Sequence, residues 1–255
     1  WKKLILDKKI NSIVIAAPPF LHKKIIKFAI NNNKNIFCEK PFACSYKDAN
    51  FICNLIKRKK NICHMVNYEF AEINVFPFFK KKIINNIKIK NIYLNWFINQ
   101  KKRSKKDWKE NHYKGGGIMF NFVCHAIYYL ELLFGKIISI KTNISLEKSK
   151  KIRTLKGKIF FLNGLSVQLN IKVGDIINKN KPIHQLKIIT NKKKYILESK
   201  LNNLSDKFEL RVSKRNSKKK MEKILLRNKK DNNDFRINPT LKNSNKFANW
   251  ILKNQ

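Results

Sequence analysis

Over the first 66 residues, short apolar runs alternate with stretches whose apolar residues recur at helical spacing. Ser12-Ile-Val-Ile-Ala-Ala17, stopped by Pro18-Pro19, predicts a buried parallel strand. Leu21, Ile25, Ile26, Phe28 and Ala29 then predict a helix over 21–30, with Pro19 near its start, and 31–34 predicts a turn. A second strand is expected over 35–38, a second helix from an N-capping Ser45 to Arg58, and a third strand over 62–66. Residues 1–6 look like the end of a helix. Strand and helix alternating at this pitch mean crossover connections and a parallel sheet.

Beyond Asn67 the pattern changes. A helix is expected over 76–84, a long strand over 87–98, a basic loop over 101–106, and an apolar helix over 118–134 ended by Gly135. Alternating strands follow over 137–146, 158–162, 165–173, 185–190, 195–198, 208–212 and 221–226, with polar turns at 214–220 and 228–233. Asn238-Pro239 opens a last helix, 239–253. The fold class is therefore α/β, with a parallel sheet in residues 1–66 and an α+β domain built on a large, mainly antiparallel open sheet in 67–255.

Composition adds a net charge of +41, from 57 Lys and Arg against 16 Asp and Glu. Strong blocks of Phe, Ile, Leu and Val argue for a folded protein in spite of that charge. The longest apolar block, 118–134, is interrupted by Asn121, His125 and Glu131 and is short for a membrane span. Lys is spread along the chain beside abundant Asn and Ile, as a bias toward adenine- and thymine-rich codons would produce. Arg, the preferred reader of phosphate and guanine, is scarce, so nucleic acid is not the expected partner. Cys38, Cys44, Cys53, Cys63 and Cys124 are scattered, odd in number and without a C-x-x-C pair, which fits free thiols in a reducing, cytoplasmic setting and no structural metal.

Three features carry candidate chemistry. Lys40 follows a parallel strand, where open α/β sheets bind ligands, and is flanked by a scarce acid, Glu39, and by Pro41. Three of the seven glycines stand together at Gly115–Gly117, just before the apolar helix; such a run permits close backbone approach or simply a tight turn. On that helix His125 and Asn121 are four apart and would share one face. A histidine there serves either as a core residue or as a proton acceptor.

These strings, in their order and spacing, resemble the glucose–fructose oxidoreductase/inositol dehydrogenase (Gfo/Idh/MocA) family: Ser12 to His22, Asn35-Ile-Phe-Cys-Glu-Lys-Pro-Phe42, Met65-Val-Asn-Tyr-Glu-Phe70, Trp108-Lys109, and Gly115 through His125. The resemblance covers about residues 1–135. It implies a Rossmann domain, here incomplete, followed by a sheet domain that serves homo-oligomerisation. It also implies hydride transfer between NAD or NADP and a secondary alcohol of a sugar, cyclitol or nucleotide sugar. Carried over, Ala17, Pro18, Pro19, His22, Glu39, Lys40 and Pro41 would line the cofactor cleft, and Tyr68, Trp108, Asn121 and His125 would face substrate. A neutral imidazole at His125 would take the hydroxyl proton while the Lys40 ammonium steadies the oxygen. Both are expected to meet in a cleft open to solvent.

The chain also departs from that family. No glycine precedes Gly115, so the G-x-G-x-x-G turn is absent, and a chain opening at Trp1 is expected to be part of a longer polypeptide lacking about one βαβ unit. Asn121 stands where the family commonly has Asp, Ala71 where it has Arg, and Tyr128 where it has Asp, which leaves substrate identity open. Two alternatives follow: a catalytically silent relative binding anions through its basic surface, and an NAD-dependent glycosidase of the same family.

Overall fold

The computed structural model describes residues 1–99, 107–146, 152–174, 184–199, 208–215, 222–226 and 236–253. Two compact units emerge: one drawn from Trp1–Glu72, Arg103–His125 and Arg236–Gln255, the other from Ile73–Lys102 and Ala126–Phe235. The expected single division after residue 66 differs from these units in three stretches, 67–72, 103–125 and 236–255, which belong to the first unit.

The first unit opens with the short helix α1 (Lys2–Leu6), then β1 (Ser12–Ile15), α2 (Pro19–Asn31), β2 (Asn35–Glu39), α3 (Tyr46–Lys57) and β3 (His64–Asn67). The three strands form a parallel sheet in the order β1-β2-β3. Register sets Ser12 opposite Asn35, Ile15 opposite Cys38, and Glu39 opposite Asn67. Ser45 caps α3 as expected, its hydroxyl accepting from the Asp48 amide at 3.1 Å. Asn33 takes the left-handed conformation in the turn before β2. Ile5, Ile13, Ile15, Ile26, Ile30 and Ile52 form its core. The last helix, α6 (Ile237–Lys253), lays Phe247 on Phe37, their rings 5.6 Å apart.

The second unit carries α4 (Val75–Lys82), then β4 (Ile89–Asn99); α5 (Cys124–Phe134) leads into it. Next come β5 (Ile137–Leu146), β6 (Ile152–Phe161), β7 (Ser166–Gly174), β8 (His184–Thr190), β9 (Lys193–Ser199), β10 (Phe208–Lys214) and β11 (Glu222–Leu226). Its eight described strands run β11-β10-β9-β8-β4-β7-β6-β5. All neighbours are antiparallel except β4 and β7, which are parallel, so β4 enters the sheet between strands that follow it in sequence. Ile92, Leu94, Trp96 and Ile98 alternate inward along β4, and Phe76 stacks on Tyr129 at 4.4 Å. Gly135 ends α5 at φ +94°, as a C-terminal cap requires.

Two expected elements differ. Strand β6 begins six residues before position 158, with Arg153, Thr154, Leu155 and Lys156 alternating on the pleat. The helix expected over 118–134 is not one continuous α-helix: Met119–Val123 is wound as a π-helix, and Cys124–Phe134 beyond it is α. The basic loop at 101–106 and the turn at 228–233 lie outside the described residues, as does the turn expected over 214–220 apart from Lys214, which ends β10, and Arg215. Among the described residues no helix is long and apolar enough to cross a membrane.

Candidate active site

Strand β2 delivers Glu39, Lys40 and Pro41 to the carboxyl end of the parallel sheet, with a cis peptide between Lys40 and Pro41. The half-buried Lys40 Nζ donates to the backbone carbonyl of Asn121 at 3.2 Å, although the two lie 81 positions apart. That carbonyl belongs to the π-wound turn, a departure from α geometry often found at functional sites. The strand-end lysine and the helix after the glycines thus come together within the first unit.

Asn121 reaches Lys40 through its backbone and not its side chain. Its amide nitrogen donates to the Lys109 carbonyl at 3.0 Å, tying the helix to the turn that carries Trp108, which is half-buried. Asn121 lies in the π-wound turn and His125 in the α-helix that follows it. His125 is 1 % exposed, against the expectation of an imidazole open to solvent. The half-buried Tyr68 stands edge-on to it at 6.3 Å and Phe70 lies 5.5 Å away, so two rings close over it. Its neighbour Cys124 donates its thiol to the Phe120 carbonyl at 3.0 Å, and burial pushes that thiol up to about 11.

His22 was expected in a cofactor cleft. It is 0 % exposed, with Nδ1 3.0 Å from the Pro41 carbonyl and Nε2 2.8 Å from the Ala17 carbonyl. It therefore staples the loop after β1 to the loop after β2 and sets the direction of the chain at Lys40 from behind. The Cys38 sulfur is 3.4 Å from the same ring, and burial raises its thiol to about 12. Pro18 precedes α2 and the buried Pro19 opens it, in a first turn without acids, while Ala17 is half-buried.

The glycines serve packing inside the unit. A Cβ on Gly115, whose φ is +80°, would stand 2.5 Å from the Pro19 Cβ, and one on Gly116 would stand 2.3 Å from the Trp108 carbonyl oxygen. Only a bare backbone can seat the turn this close to Pro19 and to the Trp108 carbonyl.

Sequence patterns miss several supporting residues. Asn67, buried at the end of β3, donates to Glu39 at 2.8 Å and accepts from Asn243 of α6 at 2.9 Å. Thr240, also on α6, lies 3.2 Å from the Asn67 amide nitrogen. Lone Asn residues carry no signal in a chain rich in Asn. Glu69, two residues after Asn67, is also buried and had one available signal, the scarcity of acids.

Residues 1–68 match the family described as "Oxidoreductase family, NAD-binding Rossmann fold", and residues 80–231 match "Oxidoreductase family, C-terminal alpha/beta domain". An uncharacterized oxidoreductase of Synechocystis sp. is 25% identical over 148 residues, covering 56% of this chain and 40% of that protein. Oxidoreductase P35 of Formosa agariphila is 27% identical over 169 residues, 64% of this chain and 52% of its own. Levoglucosan dehydrogenase of Pseudarthrobacter phenanthrenivorans is 26% identical over 152 residues, 57% and 38% respectively. The chain thus spans about half or less of the length of these curated relatives. Among solved structures, a levoglucosan dehydrogenase in complex with NADH and levoglucosan superposes with a TM-score of 0.78 at 18% identity, covering 100% of this chain and 74% of its own. At such identity the likeness speaks for the fold alone. With both of its domain descriptions matched across most of its length, the chain belongs to the Gfo/Idh/MocA oxidoreductase family.

Proposed function

We propose that the protein is an NAD(P)-dependent dehydrogenase acting on a secondary alcohol of a sugar or cyclitol. The observation that carries this reading is the Lys40 ammonium, set at the carboxyl end of a parallel sheet and joined to the Asn121 carbonyl. The name of the levoglucosan dehydrogenase relative and the NADH and levoglucosan in its structural counterpart agree with the cofactor and substrate classes.

The residues present fit the nicotinamide end of a dinucleotide. Lys40 supplies a cation, Glu39 is oriented by Asn67, and the α2 N-terminus opens without acids in its first turn. They do not supply a phosphate cradle, because Pro19 and the backbone of Trp108 and Lys109 fill the space beside Gly115 and Gly116. When bound, the dinucleotide supplies the hydride acceptor or donor. Lys40 holds the substrate oxygen and steadies the charge that develops on it. His125 takes the hydroxyl proton when the substrate displaces Tyr68, the half-buried member of the pair of rings above it.

The test is NADH fluorescence titration and turnover over a panel of sugars and cyclitols, using the full protein. Lys40→Met is expected to lower kcat at least ~100-fold with dinucleotide binding largely kept, since removing one preorganised donor has that effect. His125→Ala is expected to lower kcat by ~100-fold or more. Absence of dinucleotide binding, or unchanged turnover in both variants, would refute the reading. One feature favours a second reading, the net charge of +41: a silent relative that binds polyanions would be retained on heparin with steep salt dependence. A chromogenic glycoside assay separates net oxidation from glycoside cleavage.

A further inference from the structure

A cleft of about 560 Å³ opens into the first unit between the parallel sheet and α3. Its floor follows from the strand register: Ile36 stands opposite His64 and Cys38 opposite Val66, so these four side chains share one face of β2 and β3. Cys53, Ile56 and Lys57, three or four positions apart, turn one side of α3 toward it, and Trp250 of α6 supplies an aromatic wall. β3 is the edge strand, and its residues stay accessible: His64 is exposed, and Met65 and Val66 are half-buried. Lys40, Asn121 and His125 do not line this cleft.

The volume falls within the ~300–1,000 Å³ of small-molecule sites. Ile26, Ile36, Cys38 and Ile56 belong to the core of the unit and reach the cleft, so whatever fills it lies against core atoms. An apolar body there is favoured over water. The charged groups of the lining are all of one sign: Lys57, Lys59 and Lys60 are present and no acid is. Burial pushes the Cys38 thiol up to about 12, so it keeps its proton and adds no negative charge. Lys59 donates to the Asn33 side-chain oxygen at 3.1 Å, whereas Lys57 and Lys60 are exposed. The end of α3 does not call on those two ammonium groups, because the Arg58 amide takes the Leu55 carbonyl and the Lys59 amide takes that of Ile56. A cation pair thus stands beside an apolar cleft that holds no counter-charge.

We propose that this cleft binds a small carboxylate with an apolar body, such as a free fatty acid. The body lies along Ile36, Val66 and Trp250, and the carboxylate meets Lys57 and Lys60. A dinucleotide is a poor match, since most of the lining is apolar and its several charges would find no partners there. The site is separate from the one built on Lys40 and does not rest on the dehydrogenase reading.

The test is isothermal titration of the full protein with decanoate and with decyltrimethylammonium, which carries the same chain and the opposite charge. Decanoate is expected to saturate a single site, and the cation to bind at least ~10-fold more weakly. Lys57→Glu together with Lys60→Glu is expected to weaken decanoate at least ~10-fold and to erase its advantage over the cation. Lys81→Glu together with Lys82→Glu changes net charge equally on exposed residues of α4 and is expected to leave decanoate affinity unchanged. Cys53→Trp, a large ring at an exposed position of the lining, is expected to abolish saturable binding while the urea unfolding midpoint stays in place. Absence of saturable binding by wild type would overturn the inference. So would equal weakening by the two lysine pairs, or wild-type affinity in Cys53→Trp. None of these readouts needs a dinucleotide or turnover, so failure here leaves the dehydrogenase standing, and failure of the dehydrogenase leaves the titrations to decide the cleft.

Discussion

At the scale of single residues, environment decides what a side chain does, and its neighbours decide the environment. The histidines make the point. His22 fastens two loops, His125 lies under two rings, and His184 sits in the core of the second unit, stacked on Trp96 at 4.2 Å with its Nε2 2.7 Å from the Tyr129 hydroxyl. Burial lowers His184 from 6.5 to about 3, so the folded protein refuses a proton that the unfolded chain accepts below its ordinary value. Stability is therefore full above pH 6.5, and falls as pH drops from there toward about 3, by up to about 1.4 kcal/mol per pH unit. His184→Gln is expected to remove about one proton from the slope of unfolding free energy against pH between 4 and 6, measured by urea titration. An unchanged slope would show that the ring titrates normally. Of the site residues, Lys40 is legible from its place after a strand and before a proline, and Glu69 from rarity alone. Asn67, Asn243 and Thr240 are not legible, since a hydrogen bond spanning 173 to 176 positions leaves no trace in local pattern.

At the scale of elements, caps and periodicity explain most boundaries. Ser45 before the apolar spacing of Ile52 and Ile56 marks α3, and its hydroxyl occupies the Asp48 amide as the pattern requires. Ser45→Ala is expected to destabilise the first unit by ~1 kcal/mol in chemical denaturation, and Ser45→Asp to be close to neutral. The π-wound turn at Met119–Val123 shows where periodicity stops being informative. The apolar sequence 118–134 is consistent with an uninterrupted α-helix, and the winding differs where Lys40 from another element takes a carbonyl in the turn. The glycine run likewise permits either a ligand cradle or a tight turn, and the choice lies with Pro19 and Trp108.

At the scale of the molecule, the β5 edge invites a partner. Ile138, Ile140, Ile144 and Leu146 are all exposed and, two or four apart, stand on one face of a strand that ends its sheet. Long exposed apolar edges are pairing sites unless something covers them. We propose that a second copy of the chain does so. Size-exclusion chromatography with light scattering is expected to show a dimer or larger assembly that Ile140→Lys together with Ile144→Lys converts to monomer. A wild-type monomer would dismiss the proposal.

Residues 1–66 disclose their alternation of strand and helix because their contacts run between neighbours in sequence, where apolar period and capping residues are enough to define each element. The strands of the second unit are legible for the same reason, each from its own alternation. The parallel pairing of β4 with β7, the return of α6 to the first unit, the closure of rings over His125 and the approach of Lys40 to Asn121 join positions tens to hundreds of residues apart. Such contacts are chosen by which buried surfaces and polar groups satisfy one another once the chain is folded, and that is a property of the packed whole.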